Sequence, residues 1–217
     1  MARHNKQFWS WFDEIESLMP LRAVSWRKAF QYLDTLPAPI VIVETGCARE
    51  IGNWAGDGQS TLLFDRYVQA RGGRSRVYSV DINPDGVAAC QAQVSDRVTV
   101  SCQESVCWLA SLNGNLPAPV SMVYLDSMDV DWLNTMPSAC HHLQELAAIR
   151  PSITTKTLVM VDDSPARGHV WMKADGSLDM IGPSSVGGKG RLVAEYALRV
   201  SARMEFIHYQ IAWTGMA

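Results

Sequence analysis

Apolar and polar positions along the chain follow two alternating patterns: short unbroken apolar runs, and longer stretches with helical spacing. The runs IVIVE, SRVYSVD, DRVTVSC, PVSMVYLD and KTLVMVDD read as five strands. The continuous apolar character of the first suits a strand covered on both faces. Between them, helices are predicted from near Ser60 and over residues 84–94, 104–112, 137–149 and 188–202. This alternation predicts an α/β fold with a mostly parallel central sheet and helices on both faces. The first 36 residues read as extra N-terminal helices, with Ser25 as N-cap of residues 25–36. The expected organisation is one domain, with a helical cap at 1–36 and an α/β core at 37–217. The closing run MEFIHYQIAWT is one long strand or a tight pair, and VWMKADGSLDMI is expected to be a hairpin turning at Asp175-Gly176.

Four of the five predicted strands end in acids: Glu44, Asp81, Asp126 and Asp162-Asp163. Ligands of open parallel sheets bind beyond the carboxyl ends of the strands. A single acid there also suits a helix cap or a turn; four together favour a site. An acid ending the second strand can accept both ribose hydroxyls of an adenosine. The glycines that follow the first strand, Gly46, Gly52, Gly56 and Gly58, do not have the G-x-G-x-x-G spacing that cradles a pyrophosphate. Gly58-Gln59-Ser60 still offers amides and a hydroxyl to a carboxylate at a helix start.

Adjacent strand ends would bring Asp126 near Asp162 and Asp163. Three facing carboxylates are costly unless protonated or neutralised. An all-oxygen set suits Mg²⁺ or a similar divalent cation. Asp126, Asp129 and Asp131 lack the D-x-D-x-D-G order of a calcium loop, so a site assembled across two strands fits better.

Composition narrows the class. The 217 residues are 47% hydrophobic and 19% charged, with net charge -3, which gives no general attraction to nucleic acid or an anionic membrane. Arg71, Arg74 and Arg76 read as a solvated loop. No run is apolar enough to span a membrane, and the N-terminus lacks the apolar stretch of a signal peptide. Five cysteines, an odd number without C-x-x-C spacing, suit reduced thiols in a cytoplasmic protein.

The segments VIVETG, GDGQST, YSVDINPD, RVTVSCQES, MVYLDS and LVMVDDSP, in this order over roughly residues 40–165, resemble the class I S-adenosylmethionine-dependent methyltransferases. Within these the likeness is to metal-dependent small-molecule O-methyltransferases of the catechol and macrolide-sugar types. The resemblance implies that S-adenosylmethionine is the cofactor. Glu44, Gly46, Gly58 and Ser60 would lie on its methionine side and Asp81 would hold its ribose. Ile82 would pack on adenine, with Glu104 and Ser105 near the adenine edge. Asp126 would touch the cofactor and, with Asp162 and Asp163, bind the metal. The acceptor would be a hydroxyl of a small molecule, such as a sugar or secondary metabolite.

Two features depart from the catechol pattern. The loop from Gly46 to Gly58 is longer, and Asp129 stands where a lysine base is expected. His142 and Asp129 are then the candidate bases, with His141 a further histidine on the same helix. Lys189, in GGKGR, reads as a loop lysine, and Tyr209 and Gln210 as mid-strand residues. Trp9, Trp11 and Trp26 suit a core more than a lid over the substrate. A homo-oligomer is compatible with the sequence. The competing class is a Rossmann-like nucleotide- or metabolite-binding domain without methyl transfer. A nucleic-acid methyltransferase is disfavoured by charge and by the lack of an N-P-P-Y-type motif.

Overall fold

The computed structural model describes residues 5–50, 52–165, 170–172, 178–180 and 186–217. Helices α1 (Lys6–Ile15) and α2 (Ala23–Asp34) come first. Four β–α steps and a fifth strand follow: β1 (Val41–Thr45), α3 (Ser60–Arg71), β2 (Arg76–Asp81), α4 (Pro84–Gln91), β3 (Val98–Cys102), α5 (Ser105–Ser111), β4 (Met122–Leu125), α6 (Met136–Ile149) and β5 (Leu158–Val161). A hairpin, β6 (Val170–Met172) with β7 (Leu178–Met180), precedes α7 (Arg191–Arg199), β8 (Arg203–Ile207) and β9 (Ile211–Thr214).

The main sheet has the order β3-β2-β1-β4-β5-β9-β8. Strands β1 to β5 are parallel, and β9 runs antiparallel to both β5 and β8. The order reverses between β1 and β4, which opens a crevice at their carboxyl ends. Every residue of β1, β4 and β5 is buried, as their unbroken apolar runs require.

Side-chain alternation divides the core into two layers. Ile42, Tyr124 and Met160 pack with Trp26, Phe30, Phe64 and Tyr67 on one face. Val43, Val123 and Val159 pack with Leu146, Ile149 and Val193 on the other. Phe8 and Phe12 of α1 belong to the first layer, so both N-terminal helices are built into the core. Trp26 is fully buried there, and Trp9 Nε1 donates to Asp34 Oδ2 at 2.8 Å. Neither forms a lid.

Three local expectations change. Helix α2 starts at Ala23, two residues before Ser25, because the preceding turn already runs on from Met19; the Ser25 hydroxyl instead lies 2.5 Å from Gln210 Oε1. The closing segment is a tight antiparallel pair, closed by His208 N donating to Gln210 O at 2.9 Å. Tyr209 and Gln210 therefore occupy its turn, not mid-strand. The hairpin at β6 and β7 forms as expected, while its Asp175-Gly176 turn lies outside the described residues. Among the described residues, no helix is long and apolar enough to cross a membrane.

Candidate active site

The crevice between β1 and β4 begins at Gly46. Its backbone has φ +81°, and a Cβ there would come within 2.5 Å of Asp126 O. Only glycine lets the β1 loop lie this close to the end of β4. Glu44, at the end of β1, turns into the core and is 0% exposed. It accepts hydrogen bonds from Ser60 Oγ at 2.5 Å, Thr61 Oγ1 at 2.7 Å and Ser79 Oγ at 2.7 Å. Burial pushes its carboxyl up to about 7, against those hydroxyls. This corrects the expectation for Glu44: enclosed on all sides, it ties α3 to the sheet and offers no surface to a ligand. The Ser60 hydroxyl is committed to Glu44, although Ser60 still lines the crevice beside Gly46, Cys47 and Asp126. Gly58 packs against the Arg22 side chain and supports the loop, and it does not line the crevice.

Asp81 ends β2 with its carboxylate at the crevice. It accepts from Asn83 N at 2.8 Å and from Cys47 N at 3.3 Å, which fixes its direction toward the Gly46 loop. Beyond it a recess of about 180 Å³ is lined by Asp81, Ile82, Glu104, Ser105, Met128 and His141, among others. Ile82 is 72% exposed, an apolar side chain open to a flat partner. The Glu104 carboxylate caps α5, accepting from Val106 N at 3.0 Å and Cys107 N at 2.8 Å. Its negative charge suits the helix N-terminus, so it walls the recess while its carboxylate serves the helix. Ser105 Oγ lies 3.0 Å from His141 Nε2, which in turn is 3.3 Å from the buried Glu145. Glu145 also accepts from Thr45 Oγ1 at 3.0 Å and Ser127 Oγ at 2.5 Å, joining α6 to the ends of β1 and β4.

On the other side of Asp126 a cleft of about 250 Å³ opens, walled by Leu21 and Arg22 just before α2, by Arg49 and residues 55–57 of the loop after β1, and by the ends of β4 and β5. Arg49, Asp57 and Asp126 line both this cleft and the crevice. Asp126, Asp162 and Asp163 converge as expected, with one oxygen from each lying within 4.8 Å of the others. Their repulsion is relieved by two cations of the chain. Arg22 Nε donates to Asp162 Oδ1 at 3.1 Å and Oδ2 at 2.9 Å. Lys189 Nζ touches Asp126 Oδ1 and lies 3.0 Å from Asp163 Oδ2. Tyr209 donates to Asp163 Oδ1. Burial opposes the Lys189 ammonium, but Asp126 and Asp163 outweigh it and hold Lys189 above the usual lysine range. Burial also opposes the Asp163 carboxylate, and Lys189, Tyr209 and Arg22 overcome it and hold the group below its usual range. For Asp126 burial dominates and pushes the carboxyl up, despite Lys189.

The oxygen-only donor set has the right chemistry for Mg²⁺, but its arrangement does not fit one. A Mg²⁺ about 2.1 Å from the Asp126 and Asp163 oxygens that Lys189 holds would have to displace the ammonium, a like charge in contact with the same oxygens. The remaining aspartate, Asp162, already gives both oxygens to Arg22.

The two expected bases sit apart from this cluster. Asp129 is at the cleft mouth, its side chain 78% exposed and 3.5 Å from Arg49. His142 is 0% exposed, on the core side of α6, with Nδ1 2.7 Å from Ser138 O. Burial pushes it down to about 4, so it is neutral and enclosed. It therefore cannot serve as a base in the cleft. Asp131 starts a turn, accepting from Leu133 N at 2.9 Å.

No family model matches the chain, and no curated protein matches it in sequence. Similar solved structures do exist. An O-methyltransferase from Bacillus cereus in complex with SAH superposes with TM-score 0.52 at 11% identity, over 96% of this chain and 91% of that one. The DhpI-SAH complex gives TM-score 0.46 at 14% identity, over 99% of this chain and 97% of that one. The MycE methyltransferase of the mycinamycin pathway, in complex with Mg, SAH and mycinamycin VI, gives TM-score 0.42 at 16% identity. That match covers 63% of this chain and only 30% of the MycE chain. The likeness to the Bacillus cereus structure establishes the fold alone: a mostly parallel α/β sheet with helices, shared with that O-methyltransferase.

Proposed function

We propose that this chain transfers a methyl group from S-adenosylmethionine to a hydroxyl oxygen of a small polar acceptor. One observation carries the reading: Asp126 lines both the crevice that runs to Asp81 and the cleft that holds Lys189, Asp163 and Tyr209. A cofactor in the first and an acceptor in the second would meet there. Adenine would occupy the recess between Ile82 and His141, and Asp81 would accept the ribose hydroxyls. The methionine part would follow Gly46, whose bare Cα leaves room beside Asp126.

In the reaction the acceptor oxygen attacks the methyl carbon in line. The C–O bond forms as the C–S bond breaks, and the sulfur leaves with the bonding pair. The hydroxyl proton passes to the Asp126 carboxylate, whose proton affinity is raised by burial, and then to solvent. The chemistry rests on alignment and on fixed charges near the developing centre. A cleft lined by Arg22, Arg49, Asp57, Asp129 and Tyr209 favours an acceptor carrying several hydroxyls over an apolar one. Because Lys189 and Arg22 occupy the aspartate oxygens, no step is assigned to a metal.

Calorimetry with S-adenosylhomocysteine tests the cofactor half. One site per chain at micromolar affinity is expected. No heat at several hundred micromolar ligand would sink the reading in favour of a metabolite-binding domain with other chemistry.

A further inference from the structure

Lys189 reads in sequence as an ordinary loop lysine, yet it is only 1% exposed. Its turn, Gly188–Gly190, is fixed to the end of β5. Lys189 N donates to Asp163 O at 3.1 Å, and Gly187 N donates to Pro165 O at 3.2 Å. A Cβ on Gly188 would fall 1.8 Å from Asp163 O, and one on Gly190 would fall 2.4 Å from Ser164 Oγ. The two glycines thus let the turn lie flat on Asp163 and Ser164. The lysine between them then has one course, into the aspartates.

We infer that the Lys189 ammonium is a built-in replacement for a divalent cation at the Asp126–Asp162–Asp163 cluster. It bridges Asp126 and Asp163, the two aspartates that also line the acceptor cleft. Arg22 neutralises the third, Asp162. Three carboxylates against two cations leave the cluster near charge balance, so a divalent ion gains little by entering and must first expel a buried lysine. The inference rests on the methyl-transfer reading for its consequence: the acceptor oxygen meets an ammonium, which donates a hydrogen bond and stabilises the negative charge that develops as the hydroxyl proton leaves, without a metal's coordination shell.

Mn²⁺ serves as the probe, followed by electron paramagnetic resonance and by its effect on thermal unfolding, with S-adenosylhomocysteine calorimetry run in parallel. The wild-type chain is expected to show no saturable Mn²⁺ site below about 1 mM and no rise in melting temperature. Lys189→Met should expose the carboxylates and bind one Mn²⁺ per chain at least ~10-fold more tightly, with a rise in melting temperature on adding the ion. Adding Asp163→Asn to that variant should abolish the gain. Saturable micromolar Mn²⁺ binding by the wild type that Asp163→Asn removes would overturn the inference. So would a Lys189→Met chain that binds S-adenosylhomocysteine, and is therefore folded, but gains no Mn²⁺ site. The wild-type measurement decides the matter even where Lys189→Met fails to fold. Loss of S-adenosylhomocysteine binding in the wild type would sink the methyl-transfer reading alone.

Discussion

Lys189 Nζ lies 3.0 Å from Asp163 Oδ2 and touches Asp126 Oδ1, so one ammonium joins the ends of β4 and β5. The joint depends on Gly188, whose φ of +56° and contact with Asp163 O exclude a side chain. Gly188→Ala is expected to cost about 3 kcal/mol, from an unfavourable backbone conformation and a forced shift of the turn. Urea unfolding measures it. A loss under about 0.5 kcal/mol would mean that the turn moves freely and that Lys189 is not fixed by it.

Arg22 bears on Asp162 in the same way. Both side chains are nearly enclosed, at 7% and 1% exposure. Removing the guanidinium would strand a buried carboxylate. Arg22→Ala is therefore expected to destabilise by about 3–5 kcal/mol, whereas Arg22→Met combined with Asp162→Leu should recover most of that. Equal losses in the single and double variants, read by urea unfolding, would show that the pair acts through something other than its charges.

The centre of the sheet was legible in the sequence because β1, β4 and β5 are buried, largely apolar runs with an acid at or just after their ends. Asp81, Asp126, Asp162 and Asp163 were legible for the same reason: strand ends can be located by pattern. What lay beyond was set by contacts between distant segments. Arg22 precedes a helix by one residue and looks like any surface cation; only the packing of α2 across the end of β5 brings it to Asp162, 140 positions away. Lys189 carries a weak signal in its flanking glycines, which permit either a loose loop or a tightly docked turn, and the docking partner is Asp163. Tyr209 was assigned to a strand because FIHYQIAW has no glycine or proline to mark its turn. Glu44 shows the opposite error. Its place after β1 marked it as a ligand residue, while three hydroxyls from α3 and β2 claim it for the core.

Asp81 gives the most direct check on the cofactor groove. Asp81→Asn keeps an oxygen for Asn83 N but removes the charge offered to the ribose. S-adenosylhomocysteine affinity is expected to fall about 10- to 100-fold, the loss for charge-assisted hydrogen bonds to two hydroxyls. The melting temperature should stay near wild type, because the carboxylate faces the crevice and not the core. A change in affinity below about twofold would remove Asp81 from the ribose site.

His142 separates a stability role from a catalytic one through pH. Burial pushes it from the ordinary 6.5 down to about 4, opposed by Glu145 with an oxygen 4.0 Å from Nε2. Between these values the unfolded chain binds a proton that the folded chain refuses. The stability attached to neutral His142 is thus fully present above pH 6.5 and is lost as pH falls toward 4. The interval corresponds to about 3 kcal/mol. His142→Leu cannot be protonated, so it should lose less stability than the wild type between pH 7 and pH 4.5; comparing the two chains by urea unfolding cancels the titration of carboxylates common to both. Its S-adenosylhomocysteine affinity at pH 7 should match the wild type, since His142 lines neither the crevice nor the cleft. Parallel acid slopes in the two chains would mean that His142 is accessible and charged in the fold. An unchanged stability profile with loss of methyl transfer would return it to the candidate bases.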